Sequence, residues 1–438
     1  MTGKAPVVLK FGGASLSDPE GIAGHVRTAR AEGGPVVLVA SARMGVTDQL
    51  LAALARPRAR QAHEQIFRRI VAAHPDLPSA GRMHIDRLRR LLREVERSYP
   101  RDRPLADRLL SQGERLAVSW LSARLREQQL PAVPVESDHL GLITDNAYGA
   151  SCILFERSTP AVRVNLRRII SRGQLPVVTG YFGRSLEGRV ATLGRGGSDY
   201  SAAGIGALIG AARVELIKRN AAVLTADPRL VPSARAIPRL SYEEAEELAQ
   251  FGARVLHPLT IEPARANRIL LQVRALDAVD SVTTIGPARQ RGGIRALTLL
   301  TPLRLLRIRV PGGRQRPGIV SEISARLAAA SVNLVQLFTS SALLCLLLEP
   351  RSGGAARQAL APLTAEAAVA VDGPEPVALV TAIGDGVLRD ISRIPPEVSR
   401  RILGFSATPR ALSLAVPQRE GRRALRALHQ ALVERKSP

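Results

Sequence analysis

Thr192-Leu-Gly-Arg-Gly-Gly-Ser-Asp-Tyr-Ser-Ala-Ala203 is the stretch around which the rest of the chain is arranged. Val190-Ala-Thr-Leu193 reads as a short strand leading into it. Gly194, Gly196 and Gly197 free the backbone to turn closely around a ligand. Ser198 and Asp199 then open a helix of small residues. Amides at a helix N-terminus favour anions, and Arg195 adds a planar fork that fits a carboxylate or a phosphate. Asp199 places a carboxylate beside that fork. One turn thus offers donors for an anion and an acceptor for an ammonium group, which suits an amino acid or a nucleotide phosphate. Taken alone, such a turn is equally a structural strand-to-helix junction.

Comparable stretches lie on either side. Val7-Val-Leu-Lys10 is an apolar strand ending in a lysine, followed by Phe11-Gly-Gly-Ala-Ser15. Two glycines after a strand let backbone amides approach a phosphate, with Lys10 as a point charge on the same group. Pro35-Val-Val-Leu-Val-Ala40 is apolar without alternation, the pattern of a parallel strand buried on both faces. Ser41-Ala-Arg-Met-Gly-Val-Thr47 leaves its carboxyl end, the edge where open α/β sheets collect ligands. Either hydroxyl is also a candidate helix cap. Residues 49–130 read as mostly helical, with Ser111-Gln-Gly-Glu114 at a Gly-to-helix transition. Residues 131–179 return to α/β alternation and end in Leu175-Pro-Val-Val-Thr179. Val214-Glu-Leu-Ile217 is a further buried strand.

These stretches, with Thr225-Ala-Asp-Pro-Arg229 and Phe251-Gly-Ala-Arg-Val-Leu-His-Pro258, resemble the aspartate kinases of the amino-acid kinase superfamily. The resemblance runs from about residue 6 to the end, dense in the first two-thirds and faint in the last third. It implies that Lys10 and the Gly12-Gly13 amides contact the transferred phosphate. It assigns Ser41, Thr47, Glu114, Tyr181, Arg195, Ser198 and Asp199 to the amino-acid substrate, with Asp199 also orienting Lys10. Arg229 and Arg254 are its phosphate-facing candidates, Arg254 standing where the family usually has Lys. Ala14 replaces the usual Thr.

The main departure follows Ile217. The family commonly continues Trp-Thr-Asp-Val-Asp-Gly, and this chain has Lys218-Arg-Asn-Ala-Ala222. Lys218 and Arg219 reverse the local charge. They read as a clamp on nucleotide phosphates, with altered nucleotide choice or lost catalysis as open alternatives. His257 reads as structural, because no metal-ligand partners accompany it.

From about residue 290 the pattern changes. Leu303–Val310 alternates like a half-buried strand, and a helix starts at Pro317-Gly318. Val332–Phe338 and Ala342–Glu349 read as strands and Ala355–Leu363 as a helix, with a second copy over Val377–Val433. This order resembles paired ACT modules, the regulatory half of the family. Pro317-Gly318 and Val332-Asn333 fall where relatives bind an inhibitory amino acid, and Asn333 lacks the negative charge usual there. The apolar run Ala342–Leu348 is expected to need covering, which argues for a homodimer built through residues 300–438.

The chain has 438 residues, 45% of them hydrophobic, enough for about two or three domains with large cores. No apolar run is long enough to span a bilayer, and no secretion signal is visible. Its two cysteines, far apart in sequence, fit a reducing cytoplasm. A net charge of +24 raises the question of nucleic acid. The basic residues are mostly Arg spread through helices, almost without aromatics to stack on bases, so no nucleic-acid partner is expected.

The expected architecture is α/β. An amino-acid-kinase-type three-layer domain with a largely parallel sheet (1–290) precedes two ACT-like βαββαβ modules (291–438). The expected activity is ATP- and Mg²⁺-dependent phosphorylation of the side-chain carboxylate of L-aspartate. A catalytically weak homologue that senses amino acids through its ACT half is the competing reading.

Overall fold

The computed structural model describes residues 4–99, 102–218, 222–252, 256–276, 281–287, 292–310, 317–340, 343–366 and 368–434. The chain divides into two compact units. One comprises 1–223, 236–246 and 254–288; the other comprises 224–235, 247–253 and 289–438. Segment 224–235 belongs to the C-terminal unit because the Leu297 amide donates to the Thr225 carbonyl at 2.8 Å, and Ala226 and Val231 share a core with Leu425 and Leu428.

The first unit is built on an eight-stranded sheet. Its strands are β1 (Val7–Phe11), β2 (Val36–Ala40), β3 (Ala132–Val135), β5 (Leu175–Thr179), β8 (Arg213–Lys218), β9 (Arg239–Ser241), β10 (Leu270–Ala275) and β11 (Val282–Gly286), in the order β3-β5-β2-β1-β8-β10-β11-β9. Every neighbouring pair is parallel except β10 with β11. The fully buried runs VVLKF, VVLVA and LPVVT supply β1, β2 and β5, as their lack of alternation requires. A small sheet of β4 (Ile143–Thr144), β6 (Phe182–Ser185) and β7 (Val190–Thr192) sits beside them in the chain.

Strand parity decides what lies on each face. Val7, Leu9 and Phe11 join a core with Ile22 and Val26 of helix Pro19–Ala31 and with Val118 and Leu121 of helix Gln112–Glu127. Val8 and Val214 face the other way, against helix Gly197–Ile209. A Cβ on Gly206 of that helix would lie 2.5 Å from one Val214 methyl and 3.9 Å from a Val8 methyl. Residues 46–127 form five helices, with their own core of Leu50, Phe67, Leu88, Leu91 and Leu105.

The second unit holds an antiparallel six-stranded sheet, β13-β14-β12-β15-β17-β16. Here β12 is Gly293–Arg309, β13 Leu334–Thr339, β14 Leu343–Leu348, β15 Ala370–Asp385, β16 Gly404–Ala407 and β17 Ala411–Pro417. The two βαββ-type halves share their central strands. β12 pairs with β14 through Arg304–Arg309, and β15 pairs with β17 through Val377–Ile383, while β12 and β15 pair along nearly their whole lengths. Residues 387–402 fold as a 3₁₀ stretch, Val387–Arg393, and a one-turn helix, Pro396–Ser399. Pro395 and Pro396 account for the break, since neither donates a backbone bond. β14 is an interior strand with five of its six residues buried. The expectation that this apolar run needs a second chain to cover it is therefore corrected for its described residues, 343–348, which β12 and β13 already flank. No helix among the described residues is long and apolar enough to cross a membrane.

Candidate active site

Because β1 and β8 are parallel neighbours in register Lys10↔Leu216, their carboxyl ends meet at one edge. Lys10 is two residues beyond Val8 and Lys218 four beyond Val214, so both point to the face that carries helix Gly197–Ile209. Asp199, in that helix's first turn, receives both. Lys10 Nζ lies 2.5 Å from Asp199 Oδ1, and Lys218 Nζ lies 3.0 Å from Oδ2. Lys10 and Asp199 are buried, while the Lys218 side chain is 25% exposed. Burial alone would raise the Asp199 pKa. The two ammonium groups outweigh it and hold the carboxyl well below the usual carboxylate range.

The glycines after β1 are shaped for close approach. A Cβ on Gly13 would collide with the Ala42 carbonyl oxygen, and the Gly13 carbonyl accepts from the Met44 amide at 3.2 Å. A Cβ on Gly12 would sit 3.8 Å from Lys10 Nζ, so an adjacent phosphate-sized group meets backbone rather than side chain. Ser41 continues β2, its amide bonded to the Phe11 carbonyl at 3.2 Å. Thr47 is half-buried in the first turn of helix Val46–Ala55.

Glu114 enters from the next layer. Gly113 lets helix Gln112–Glu127 approach the loop after β2, since a Cβ there would lie 2.8 Å from the Ala42 Cβ. Glu114 Oε1 accepts from the Ala42 amide at 3.0 Å. Its Oε2 is buried with no hydrogen-bond partner among the described residues. Burial pushes the carboxyl up to about 8, against the Ala42 amide and the charges of Lys10 and Arg115. An unpaired buried carboxylate oxygen is costly, and a ligand ammonium would satisfy it.

Tyr181 has φ +75°, a backbone conformation uncommon outside glycine. Its amide donates to Ser201 Oγ at 2.9 Å, and its carbonyl accepts from the Leu193 amide at 2.8 Å. The ring lies against Gly197, where a Cβ would stand 3.0 Å from Tyr181 Cδ2. Burial, with Glu114 nearby, pushes the phenol up to about 12. Ser198 packs on Gly180, whose absent Cβ would lie 2.8 Å from its own. Arg195 is exposed at the tip of the turn, between Gly194 at φ +71° and Gly196 at φ +73°.

Residues 5–275 match the Amino acid kinase family. The chain belongs to that family. It is similar over its length to an aspartokinase of Thermus thermophilus, with 26% identity and 98% of each chain covered. Escherichia coli aspartokinase III in complex with aspartate and ADP (R-state) shares the fold, with a TM-score of 0.82, 24% identity, and 97% and 99% of the two chains covered. The same enzyme in complex with lysine and aspartate (T-state) gives 0.78 at 25% identity, covering 98% and 99%.

Within this amino acid kinase, the sequence-predicted residues fall into one group and a remainder. Lys10, Gly12, Gly13, Ser41, Thr47, Glu114, Tyr181, Arg195, Ser198, Asp199 and Lys218 all lie on the first unit, at or just beyond the carboxyl edge of β1, β2, β5 and β8. Arg229 lies in the second unit, exposed and paired with Asp227 at 2.7 Å. Arg219 and Arg254 lie outside the described residues. His257 packs under the Gly-rich turn, with its Cβ 2.5 Å from where a Gly196 Cβ would stand, as its structural reading implies. The pairing of Lys218 with Asp199 was not foreseen. It changes the account of Asp199, because a carboxylate already holding two ammonium groups is poorly placed to take a third from substrate. Glu114 Oε2 is the better acceptor. The supporting contacts of Ala42 and Ser201 were also missed; both act through small groups that carry no sequence signature.

Proposed function

We propose that this amino acid kinase is an aspartate kinase. It transfers the γ-phosphoryl group of ATP to the side-chain carboxylate of L-aspartate, giving 4-phospho-L-aspartate for synthesis of lysine, threonine and methionine. The observation that carries the reading is the pairing of two lysines on Asp199 close to a buried, half-partnered Glu114. The first is a cradle for transferring phosphate, the second a receptor for an α-ammonium group.

The chemistry asks mainly for positioning and charge neutralisation. The aspartate side chain is already ionised near neutral pH, so no general base is required. One of its oxygens forms the new bond to the γ-phosphorus while the bond to the β,γ-bridging oxygen breaks, and ADP leaves with that oxygen. Arg195 holds the α-carboxylate, as its fork geometry suits, and Glu114 holds the α-ammonium. Ser41, Thr47, Tyr181 and Ser198 line the substrate side. Lys10, Lys218 and the Gly12-Gly13 amides neutralise charge on the moving phosphoryl, with Asp199 keeping both lysines in place. Arg229 and Arg254 are assigned to nucleotide phosphates by resemblance alone, and Arg219 by the basic charge that it brings beside Lys218 at the departure from the family.

Magnesium is read as part of the nucleotide substrate. Asp199, the carboxylate paired with Lys10, is already occupied by two lysines. Of the described residues with metal-like spacing, Glu136 and Asp138 pair with the guanidinium of Arg115, whose Nη2 lies 2.6 Å from Asp138, and the exposed His139 lies 3.4 Å from Glu136. Phosphate oxygens are the expected ligands. The competing reading, an amino-acid sensor without turnover, rests on the altered segment after Ile217. Lys218, which ends β8, adds a cation to the cradle and so favours catalysis. Residues 291–438 are the proposed regulatory region, with an amino-acid effector; the cytoplasmic homodimer rests on the likeness to paired ACT modules alone, since β14 is covered within its own sheet.

The test is a steady-state assay with aspartate and MgATP, trapping the acyl phosphate as its hydroxamate. Aspartate-dependent hydroxamate and ADP in equal amounts are expected. Nucleotide and aspartate binding without turnover would favour the sensor.

A further inference from the structure

Asp107 is a carboxylate that the chemistry above does not use. It lies in helix Arg103–Leu110 and is 2% exposed. Its Oδ2 accepts from the Thr192 amide at 2.8 Å and the Gly149 amide at 2.9 Å, and its Oδ1 accepts from the Thr192 hydroxyl at 3.0 Å. Thr192 is the last residue of β7, two residues before the turn Gly194–Gly197. Gly149 is the other support of that turn: a Cβ on Gly194 would lie 2.9 Å from the Gly149 carbonyl oxygen. The Thr192 carbonyl closes the arrangement by accepting from the Ser151 amide at 2.9 Å.

We propose that Asp107 is a positioning residue for substrate recognition: it fixes the Arg195-bearing turn relative to the helix that carries Glu114. Helix Arg103–Leu110 runs almost directly into helix Gln112–Glu127. One rigid segment therefore carries Glu114 and, through Asp107, holds the strand that leads to Arg195. An α-amino acid presents its ammonium and carboxylate at a fixed separation, so the two receptors must be held at a matching one. A charged carboxylate is an acceptor only and suits three converging donors. An amide in its place loses the charge, and it keeps all three bonds only if its NH₂ faces the Thr192 hydroxyl and reverses that bond; facing either backbone amide, it loses an acceptor. Lys10 and Lys218 stand on β1 and β8, outside the elements that Asp107 holds. Asp199, which pairs with both, follows the turn in helix Gly197–Ile209, and that helix has its own anchor in the Ser201 hydroxyl, which accepts from the Tyr181 amide at 2.9 Å and donates to the Gly197 carbonyl at 2.8 Å, so the larger effect falls on the amino-acid side.

The inference rests on the aspartate-kinase reading and is tested in the full chain with Asp107→Asn, Thr192→Val and Thr192→Ser. Asp107→Asn is expected to raise the Michaelis constant for aspartate roughly tenfold or more, as small misplacements of binding groups do, with that for ATP within about twofold. Thr192→Val removes one of the three bonds and should act in the same direction but less. Thr192→Ser keeps the hydroxyl and should behave as the unaltered protein. In an Arg195→Ala background Asp107→Asn should add little, because the two act through one contact. An unchanged aspartate constant, an equal rise for ATP, or additivity with Arg195→Ala would each overturn the proposal. Should Asp107→Asn fail to fold, the Val and Ser variants at position 192 decide alone. Absence of turnover in the unaltered protein would overturn the aspartate-kinase reading itself; turnover with insensitive variants would overturn this inference only.

Discussion

Glu114 gives the site a pH dependence whose sign can be worked out. Its carboxyl stays protonated in the empty site up to about 8. An α-ammonium group at Oε2 needs it ionised, so aspartate binding should release a proton. The Michaelis constant for aspartate should therefore fall as pH rises towards 8, by up to about tenfold per unit, and level off above it. Measuring that constant from about pH 6 to about pH 9 checks this, and a flat profile would remove Glu114 from the role. The same shift costs stability. A raised carboxyl contributes fully below its ordinary value of 4.5, and the contribution is lost as pH rises through about 8. Glu114→Gln should thus raise the melting temperature of the ligand-free protein in alkaline buffer while weakening aspartate binding. At the phosphate side, Lys10→Ala and Lys218→Ala should each lower turnover by roughly 10²–10³, the scale for one preorganised electrostatic contact, with aspartate binding far less affected. Near-normal turnover in either variant would remove that lysine from the mechanism. Arg195→Lys should raise the aspartate constant, because an ammonium cannot reproduce a two-pronged carboxylate contact. These residue types were legible in the sequence one at a time. Their pairings were not, because residues 10, 199 and 218 meet only through the register of β1 with β8 and the face on which helix Gly197–Ile209 lies.

Among the elements, the Gly-rich turn is held by shape as much as by charge. Gly196 has φ +73°, and a Cβ there would lie 2.5 Å from the His257 Cβ. Gly196→Ala meets both obstacles. It should destabilise the fold by at least about 1–2 kcal/mol, the cost of left-handed backbone for an L-residue, and should raise the aspartate constant because Arg195 is the next residue. Differential scanning calorimetry with the kinetic assay checks it; an unchanged melting temperature would show that the turn relaxes freely. Elements that a single face determines were readable in advance. Unalternated apolar runs gave β1, β2, β5 and β8, and helical spacing gave the bundle between residues 46 and 127. Long shared strands were harder. β12 continues for ten residues before the alternating run Leu303–Arg309, and β15 begins seven residues before Val377, because the two strands pair across both halves of the sheet. The extension Gly293–Pro302 does not alternate in burial, and 370–376 alternates only between exposed and half-buried positions, with Gly373, Pro374 and Pro376 hiding any apolar pattern.

At the scale of the whole molecule, the two units carry different predictions. The kinase unit contains the candidate site, whereas the second unit carries the expected effector element, and here one side chain decides the outcome. Gly318, at φ +85°, precedes helix Ile319–Ala329, and the Val332 amide returns to the Leu327 carbonyl at 2.9 Å, which leaves Asn333 exposed at the start of β13. Val332 is buried beside it. The charge is absent. An effector's α-ammonium would meet a neutral amide oxygen at Asn333 where the family resemblance leads one to expect a carboxylate, so a charge-assisted bond becomes an ordinary one. That difference is about 1–2 kcal/mol, or roughly a five- to thirtyfold loss of affinity. Free lysine should accordingly inhibit weakly or not at all. Titrating lysine, threonine and methionine against the kinase activity, then repeating with Asn333→Asp, separates the possibilities. Sensitivity that appears only in the Asp variant is the expected result, since the substitution restores the charge without disturbing the buried neighbour. Strong inhibition of the unaltered protein by sub-millimolar lysine would mean that the ammonium is held by another group, and the charge argument would fail.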